Sequence, residues 1–346
     1  MTPLLSRAEY FKFLDVSNET KEVYSEMFSQ GLSPSGAHAE RRKQIKAEFP
    51  DTWHMMCADR SILPSVSWVY YWHRNWMNNT IGSKDGIDAY IKAEEMVAEF
   101  DAACKAESPL NNGEYYAKIA QTEAGETAIA IVDPFMRRVH ETVPQSGEMV
   151  LIDATSNLDR QDSKLFHLVC PSVIGALPVG VIITTREDTD TVRFGLELLK
   201  SVLPVYAFYG RGGSLGPQIF MTDDSDSERA ALRKTWPGSV LLLCVFHVLQ
   251  AMWTWLWDSK HGIHNTHRVH LLNLFRAVLY ADTEYQRSEC LEEMYADEII
   301  NEYPQFQKHL KKDTFPKMQA WSIARRVSDN LPTSNNNTNN QIKNIF

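Results

Sequence analysis

Two aspartates close apolar segments at positions 70 residues apart in the chain. Asp153 ends the run MVLID, and Asp223 ends the run PQIFMTD. The second aspartate opens an acidic stretch, because Asp224, Asp226 and Glu228 follow within five residues. If the two runs are neighbouring parallel strands, both carboxylates lie at the carboxyl edge of one sheet, where ligands of open α/β sheets bind. Two convergent carboxylates suit Mg²⁺ or Mn²⁺ better than zinc, and a pair of such ions can activate a water or a 3′-hydroxyl against a phosphodiester.

A cysteine and a histidine form a second candidate group, in the segment LLLCVFHVLQ. Cys244 and His247 have the C-x-x-H spacing that supplies half of many zinc sites. The other half would come from nearby histidines that recur every three residues, namely His261, His264, His267 and His270. The structural alternative is that Cys244 is a small apolar residue at a strand end and His247 lies at the edge of the core. Both interpretations of the pair stay open.

Short strands are the elements that would position these residues. Apolar runs bounded by turn residues predict five strands, in the segments 147–155, 164–175, 178–185, 217–222 and 239–246. Two of these runs end at the two aspartates. The fifth run, SVLLLCVF, contains Cys244.

Helices are predicted between and after these strands. One apolar stripe at helical spacing lies between the third and fourth strands, at Val192, Leu196, Leu199 and Leu203. Ser225 and Glu228 have the spacing of a capping box, which predicts a helix directly after the acidic pair. Glu228 would then lie in the first helical turn, where the helix dipole favours negative charge. Residues 258–325 return to helical periodicity.

Residues 1–145 are expected to be mostly helical. The segment TKEVYSEMFSQGLSPSGAHAERRKQIKAEF gives a helix that ends at Gly31, a turn, and a basic second helix that begins near Ala37. This is a helix-turn-helix outline, for which an ordinary helical hairpin is the alternative. The aromatic run SILPSVSWVYYWHRNWM is expected to be core, because few basic residues lie between its rings.

Composition limits the class of protein. A length of 346 residues predicts two units, or one domain with a large insertion. The sequence is 44% hydrophobic and 11% aromatic, which excludes disorder over the whole length. The net charge of −9 argues mildly against a nucleic-acid partner, although basic clusters occur locally. Five scattered cysteines without a C-x-x-C pair indicate a reducing compartment. The N-terminal segment does not have the pattern of a secretory signal, and the longest apolar run is too short to span a bilayer.

Three segments together resemble the transposase domain of Mutator-like elements (MULE). They are MVLIDAT, FMTDDSDSERAAL and WPGSVLLLCVFHVLQAMW, and the resemblance covers about residues 145 to 260. It implies an RNase H-like α/β fold for residues 146–346, namely a mixed five-stranded sheet with flanking helices and a helical insertion at about 258–325. It also implies a DDE recombinase that uses Mg²⁺ or Mn²⁺. Asp153 takes the first acidic position and Asp223 the second, and Cys244 with His247 matches the family's C-x-x-H.

The third acidic position of the family has no matching residue. The stretch NNNTNN at 335–340 resembles the family's Thr-Asn-Asn, after which a Glu is expected, but Lys343 stands near that place. Either the domain is C-terminally incomplete in this chain or the protein is a domesticated relative that no longer cuts DNA. The net charge of −9 predicts weak DNA binding, and the missing third acid predicts poor cleavage.

Two functions from different classes follow. The first is a metal-dependent DNA transposase that acts on transposon ends, and the second is a non-catalytic nuclear protein that binds DNA. A phosphatase or nuclease that uses the two aspartates is a further alternative. DNA is the expected partner and the nucleus the expected location, a homodimer is left open, and no membrane association is expected.

Overall fold

The computed structural model describes residues 11, 14–81, 87–111, 113–155, 162–333 and 337. The chain forms two compact units, Met1–Ala93 and Glu94–Phe346, and the division falls within one helix, Ile87–Glu107. The boundary expected at residue 145 therefore lies inside the second unit.

The first unit is helical in its described residues. Its helices are α1 (Asn18–Ser29), α2 (Pro34–Glu48), α3 (Trp53–Ala58), α4 (Val66–Ile81) and the start of α5 (Ile87–Glu107). Gly31 adopts φ +85° in the turn after α1, and the Ser33 hydroxyl caps α2 by accepting a hydrogen bond from the Gly36 N–H at 3.2 Å. The second helix thus begins at Pro34, slightly before the predicted start, because proline suits the first helical position.

An aromatic core holds the first unit together. Tyr24 and Phe28 of α1 are buried against Val69 of α4, and partly buried tryptophans of α4 pack around them. The tryptophans of the aromatic run therefore belong to the core, as predicted, whereas Tyr70 and Tyr71 are exposed. Arg42 and Lys46 of α2 lie over the ring of Trp53, with the guanidinium carbon and the ammonium nitrogen 5.8 and 5.5 Å from its centroid.

The second unit is built on a mixed sheet of seven strands. The strands are β1 (Ala117–Gln121), β2 (Thr127–Ile131), β3 (Met149–Thr155), β4 (Lys164–Ser172), β5 (Gly175–Thr184), β6 (Ile219–Thr222) and β7 (Val240–Leu243). Their order across the sheet is β1-β2-β5-β4-β3-β6-β7. The first five strands in this order pair antiparallel, whereas β6 pairs parallel with β3 and β7 pairs parallel with β6.

The expected sheet of five strands is wrong in number, because β1 and β2 add a hairpin to it. The hairpin lies in the segment expected to be mostly helical, and β2 pairs with β5. Its strands read AKIAQ and TAIAI, and alanine favours helices over strands. The turn between them, with Gly125 at φ +89°, is the local signal for a hairpin.

Central strand β3 is buried on both faces, which explains its unbroken apolar run. Val150 and Ile152 face one hydrophobic core, while Met149 and Leu151 face another. The first core is covered by α6 (Pro134–Thr142), α8 (Thr189–Lys200) and α9 (Asp226–Thr235), and a short helix α7 (Gln145–Glu148) leads into β3.

Residues 245–328 are helical, as the periodicity predicts. The elements are α10 (Val245–Trp257), a 3₁₀ turn (Ser259–His261), α11 (Asn265–Tyr280), α12 (Glu284–Ala296), α13 (Glu298–Asn301), α14 (Pro304–His309), a π-helical turn (Leu310–Thr314), a 3₁₀ turn (Phe315–Lys317), α15 (Met318–Trp321) and α16 (Ile323–Ser328). They enclose a core of their own around Phe275, Phe306 and Trp321. Arg326 of α16 is buried and donates a hydrogen bond to the Leu243 carbonyl at the end of β7, at 2.7 Å.

In the part of the chain that the structure describes, every helix is too short or too polar to cross a membrane.

Candidate functional site

Asp153 lies near the end of β3, and Asp223 directly follows β6, which is the parallel neighbour of β3. The β3–β6 ladder pairs Met149 with Ile219 and Leu151 with Met221, a constant offset of 70 residues. Asp153 and Asp223 each follow the last pair of this ladder, Leu151 and Met221, by two residues. Adjacent strands are about 4.8 Å apart. The prediction that the two aspartate-ending strands are parallel neighbours is therefore confirmed.

The two adjacent acids after β6 diverge. The Oδ1 atom of Asp223 accepts a hydrogen bond from the Ser225 N–H at 3.0 Å, which holds this carboxylate at the start of α9. Asp224 instead forms an ion pair with Lys317, with 2.6 Å between Oδ2 and Nζ. The acidic pair thus combines one residue at the strand end with one that contacts the helical region.

Glu228 is a buried carboxylate that the sequence analysis assigned only to helix capping. Its side chain is 1% exposed, and no hydrogen-bond donor contacts Oε1 among the described residues. Burial raises the pKa of this carboxyl well above its ordinary value, and the charges of Asp223 and then Asp153 raise it further. Glu228 therefore shares one electrostatic environment with both aspartates.

The capping box is only half formed. The Ser225 hydroxyl accepts a hydrogen bond from the Glu228 N–H at 3.4 Å, as the pattern predicts. The reciprocal bond would need the Ser225 N–H, which donates to Asp223 instead. The signal for burial was present in the helical spacing, since Glu228, Ala231, Leu232 and Thr235 form the buried stripe of α9.

Negative charge exceeds positive charge around Glu228. Glu187, which follows β5, is a third acid whose charge raises the pKa of Glu228. Among the groups with the largest effects on this pKa, Arg229 is the only basic residue, and its charge lowers the pKa. The Arg229 guanidinium donates from Nη1 to the Thr222 hydroxyl at 3.2 Å. A bound cation would be stabilised in such surroundings.

A histidine lies opposite Asp153 on the adjacent antiparallel strand. The β3–β4 ladder pairs Asp153 with His167, and directly opposed residues project from the same face with Cβ atoms about 5 Å apart. His167 is 8% exposed, and burial lowers the pKa of its imidazole. Burial therefore favours the neutral form of the ring.

We call Asp153, Asp223 and Glu228 the acid cluster. Its chemistry fits a hard cation, whereas its geometry is not that of a closed metal site. Within the described residues, no three His, Cys, Asp or Glu side chains are arranged to hold a metal ion. Carboxylates repel one another without a cation between them, so ion binding is expected to draw the side chains of Asp153, Asp223 and Glu228 together. Oxygen donors of this kind suit Mg²⁺ or Mn²⁺.

Cys244 and His247 lie at the start of α10. Cys244 is fully buried, and its N–H donates to the Thr222 carbonyl at 2.8 Å. His247 lines a surface cavity of about 490 Å³ together with Asp258 and His261. No second pair of ligands joins Cys244 and His247 in the described part of the chain. The zinc site stays a prediction.

The other histidines considered from the sequence have partners in the helical region. His264 caps α11, and His270 bonds Asp297 with 2.8 Å between Nε2 and Oδ2. His267 contacts the Tyr303 hydroxyl at 2.8 Å and Glu302 at 3.7 Å. Glu298 lies in the first turn of α13. Lys343, near the expected third acidic position, lies outside the described residues.

Comparison of the sequence with family models gives no match, and comparison with curated proteins gives none either, so the resemblance to the MULE transposases is carried by the three quoted segments alone.

Proposed function

We propose that residues 146–346 form a transposase-derived, RNase H-like domain in which Asp153 and Asp223 bind Mg²⁺ or Mn²⁺ for chemistry on DNA phosphodiesters. The observation that carries this proposal is the parallel pairing of β3 and β6, which brings two strand-ending aspartates to the same edge of the sheet. The five strands predicted from the sequence are consecutive in the observed sheet order and are mixed in direction, in agreement with an RNase H-like core.

Each residue of the site has a separate role in this proposal. Asp153 and Asp223 would supply the oxygen ligands, and the hydrogen bond from Ser225 fixes the Asp223 carboxylate. A divalent ion held there would activate a water or a 3′-hydroxyl and stabilise the leaving oxygen. His167, which is paired with Asp153 across the β3–β4 ladder, would orient that carboxylate.

A lysine groove in the same unit supports DNA as the partner. It has a volume of about 380 Å³ and is lined by Pro304, Gln307, Lys308, Lys311 and Lys312. We call these five residues the lysine groove. None of them is acidic, and the three lysines are exposed. Their charges can bind phosphates locally in a chain whose net charge is −9.

The lysine groove is connected to the acid cluster by a short segment of chain. Its last lysine lies in the π-helical turn, a type of turn that often occurs at functional sites. The following 3₁₀ turn ends at Lys317, whose ammonium pairs with Asp224 beside Asp223. A strand bound along the lysines would therefore be held by the same segment that contacts the acidic loop.

The test is strand cleavage and strand transfer of a labelled DNA duplex in Mg²⁺ or Mn²⁺. Asp153→Asn and Asp223→Asn should each lower the rate by about 100-fold or more, because an amide is a poor substitute for an ionised ligand. Asp226→Asn is the matched control, since Asp226 lies in the same acidic stretch with an exposed side chain. Equal rates for the unaltered chain and the three variants would show that the two aspartates take no part in the chemistry.

The lysine groove also favours a second candidate function, a non-catalytic DNA-binding protein. Salt-sensitive duplex binding without metal-dependent cleavage, unchanged in Asp153→Asn and Asp223→Asn, would support that alternative. A homodimer and a nuclear location are predictions of the resemblance alone.

A further inference from the structure

Glu228 is a buried acid in a position that does not require one. It lies in the first turn of α9 on the face that packs against the sheet, where Ala231 and Leu232 follow at the same face. A carboxylate with an unpartnered oxygen, as Oε1 is among the described residues, is costly to bury in such a position, whether ionised or protonated. An apolar residue would fit the stripe better. A buried polar atom without a partner therefore calls for an explanation in binding or catalysis.

Neither local structure nor charge pairing explains why an acid is buried at position 228. Only the backbone N–H of Glu228 takes part in capping. The Ser225 N–H, which the Glu228 side chain would accept from in a complete capping box, donates to Asp223 instead. The neighbouring arginine points its Nη1 atom at Thr222, with 3.2 Å between donor and acceptor. The Oε1 atom of Glu228 has no hydrogen-bond donor among the described residues.

The surroundings of Glu228 specify the kind of ligand. The two acids with the strongest electrostatic effect on it are Asp223 and Asp153, which end neighbouring strands. Glu228 follows Asp223 by five residues, so the turn that carries Asp223 leads directly into the helix that carries Glu228. Carboxylates that influence one another in this way would be stabilised by a small, hard, doubly charged cation between them.

We propose that Glu228 is the third carboxylate ligand of the divalent cation held by Asp153 and Asp223. This inference rests on the metal site of the proposed function. It changes the expectation of poor cleavage, because the acidic set is then complete within residues 153–228 and does not depend on the place near Lys343. The fully buried position would exclude water from one side of the ion, while the partly buried aspartates leave the other side open to a phosphodiester.

The experiment measures Mn²⁺ binding directly by isothermal titration calorimetry, on the full chain without DNA. Glu228→Gln keeps the size of the side chain and removes its charge, and Asp226→Asn removes an exposed acid from the same helical turn. Glu228→Gln should weaken Mn²⁺ binding by about 10-fold or more, because affinity follows the number of charged ligands, whereas Asp226→Asn should leave it within about twofold.

Thermal melting with and without Mn²⁺ separates a ligand from a structural residue. The metal-free Glu228→Gln protein should melt at the same or a higher temperature, because an uncompensated buried acid has been removed. Its Mn²⁺-induced rise in melting temperature should be smaller than that of the unaltered chain at the same Mn²⁺ concentration. If Glu228→Gln fails to fold, Glu228→Asp keeps the charge on a shorter side chain and should bind Mn²⁺ more weakly than the unaltered chain.

The outcomes distinguish this inference from the proposed function. Unaltered Mn²⁺ affinity in Glu228→Gln and Glu228→Asp, together with weakened binding in Asp153→Asn and Asp223→Asn, overturns the role of Glu228 and leaves the two-aspartate site standing. Absence of Mn²⁺ binding by the unaltered chain overturns both.

Discussion

Acidification should destabilise the second unit through His140. This residue of α6 is completely buried, and both ring nitrogens have backbone partners. Nε2 donates to the Val179 carbonyl at 2.8 Å, and Nδ1 accepts from the Phe208 N–H at 3.1 Å. The ring must be neutral to accept that second bond. Burial, assisted by the charge of Arg137, lowers the pKa of His140 to about 4.

The magnitude follows from linkage between protonation and folding. In the unfolded chain the imidazole titrates at 6.5, whereas in the folded protein it titrates at about 4. The folded state thus binds fewer protons, so the stabilisation is fully present above pH 6.5 and is lost as the pH falls towards 4. The shift of 6.5 − 4 = 2.5 units corresponds to about 3 kcal/mol at the acidic limit and to about 2 kcal/mol at pH 5.

The assay is urea unfolding between pH 7 and pH 5, followed by circular dichroism, for the unaltered chain and for His140→Gln. Glutamine stays uncharged over this range and can donate to the Val179 carbonyl, so all other titrating groups contribute equally to both proteins. The free energy of unfolding should fall by about 2 kcal/mol more in the unaltered chain than in the variant. Parallel pH profiles for the two proteins would refute the buried, neutral state of His140.

Two further predictions concern the packing and the charge of the second unit. Gly216→Ala should lower the free energy of unfolding by about 2 kcal/mol or more in urea, because Gly216 has φ +69° and an added Cβ would lie 2.6 Å from the Trp236 ring. Gly238→Ala, which meets no atom within 4 Å, should change it by less than about 0.5 kcal/mol, and equal losses would contradict the contact. Replacement of the three lysines of the lysine groove by alanine should make the slope of log K for duplex binding against log salt less steep by about 2.7, if each lysine contacts one phosphate. Fluorescence anisotropy measures this slope. An unchanged slope, or an equal change in the control Lys260→Ala, would exclude the groove as the DNA surface.

The sequence predicted the central strands well, because their residues are buried on both faces. The apolar run of β3 and the run before Asp223 have no polar interruptions, and strands in the middle of a sheet require such a pattern. The positions of Asp153 and Asp223 followed from where these runs end. The parallel pairing that brings them together came from the resemblance and is confirmed by the ladder.

Two features were missed in the prediction from the sequence, for different physical reasons. The hairpin β1–β2 is stabilised by its place at the edge of the sheet, since isolated AKIAQ and TAIAI segments have weak strand propensity. The burial of Glu228 depends on tertiary packing, because the same spacing that forms a capping box also places this residue on the buried stripe of α9. Which of the two roles the side chain takes was decided by the bond between Ser225 and Asp223.

Anomalous diffraction from a crystal soaked in Mn²⁺ tests the metal site most directly. The account predicts a peak at the carboxyl ends of β3 and β6, with carboxylate oxygens of Asp153 and Asp223 about 2.1 Å from the ion. No peak between these two residues at saturating Mn²⁺, or a peak only at Cys244 and His247, would contradict it.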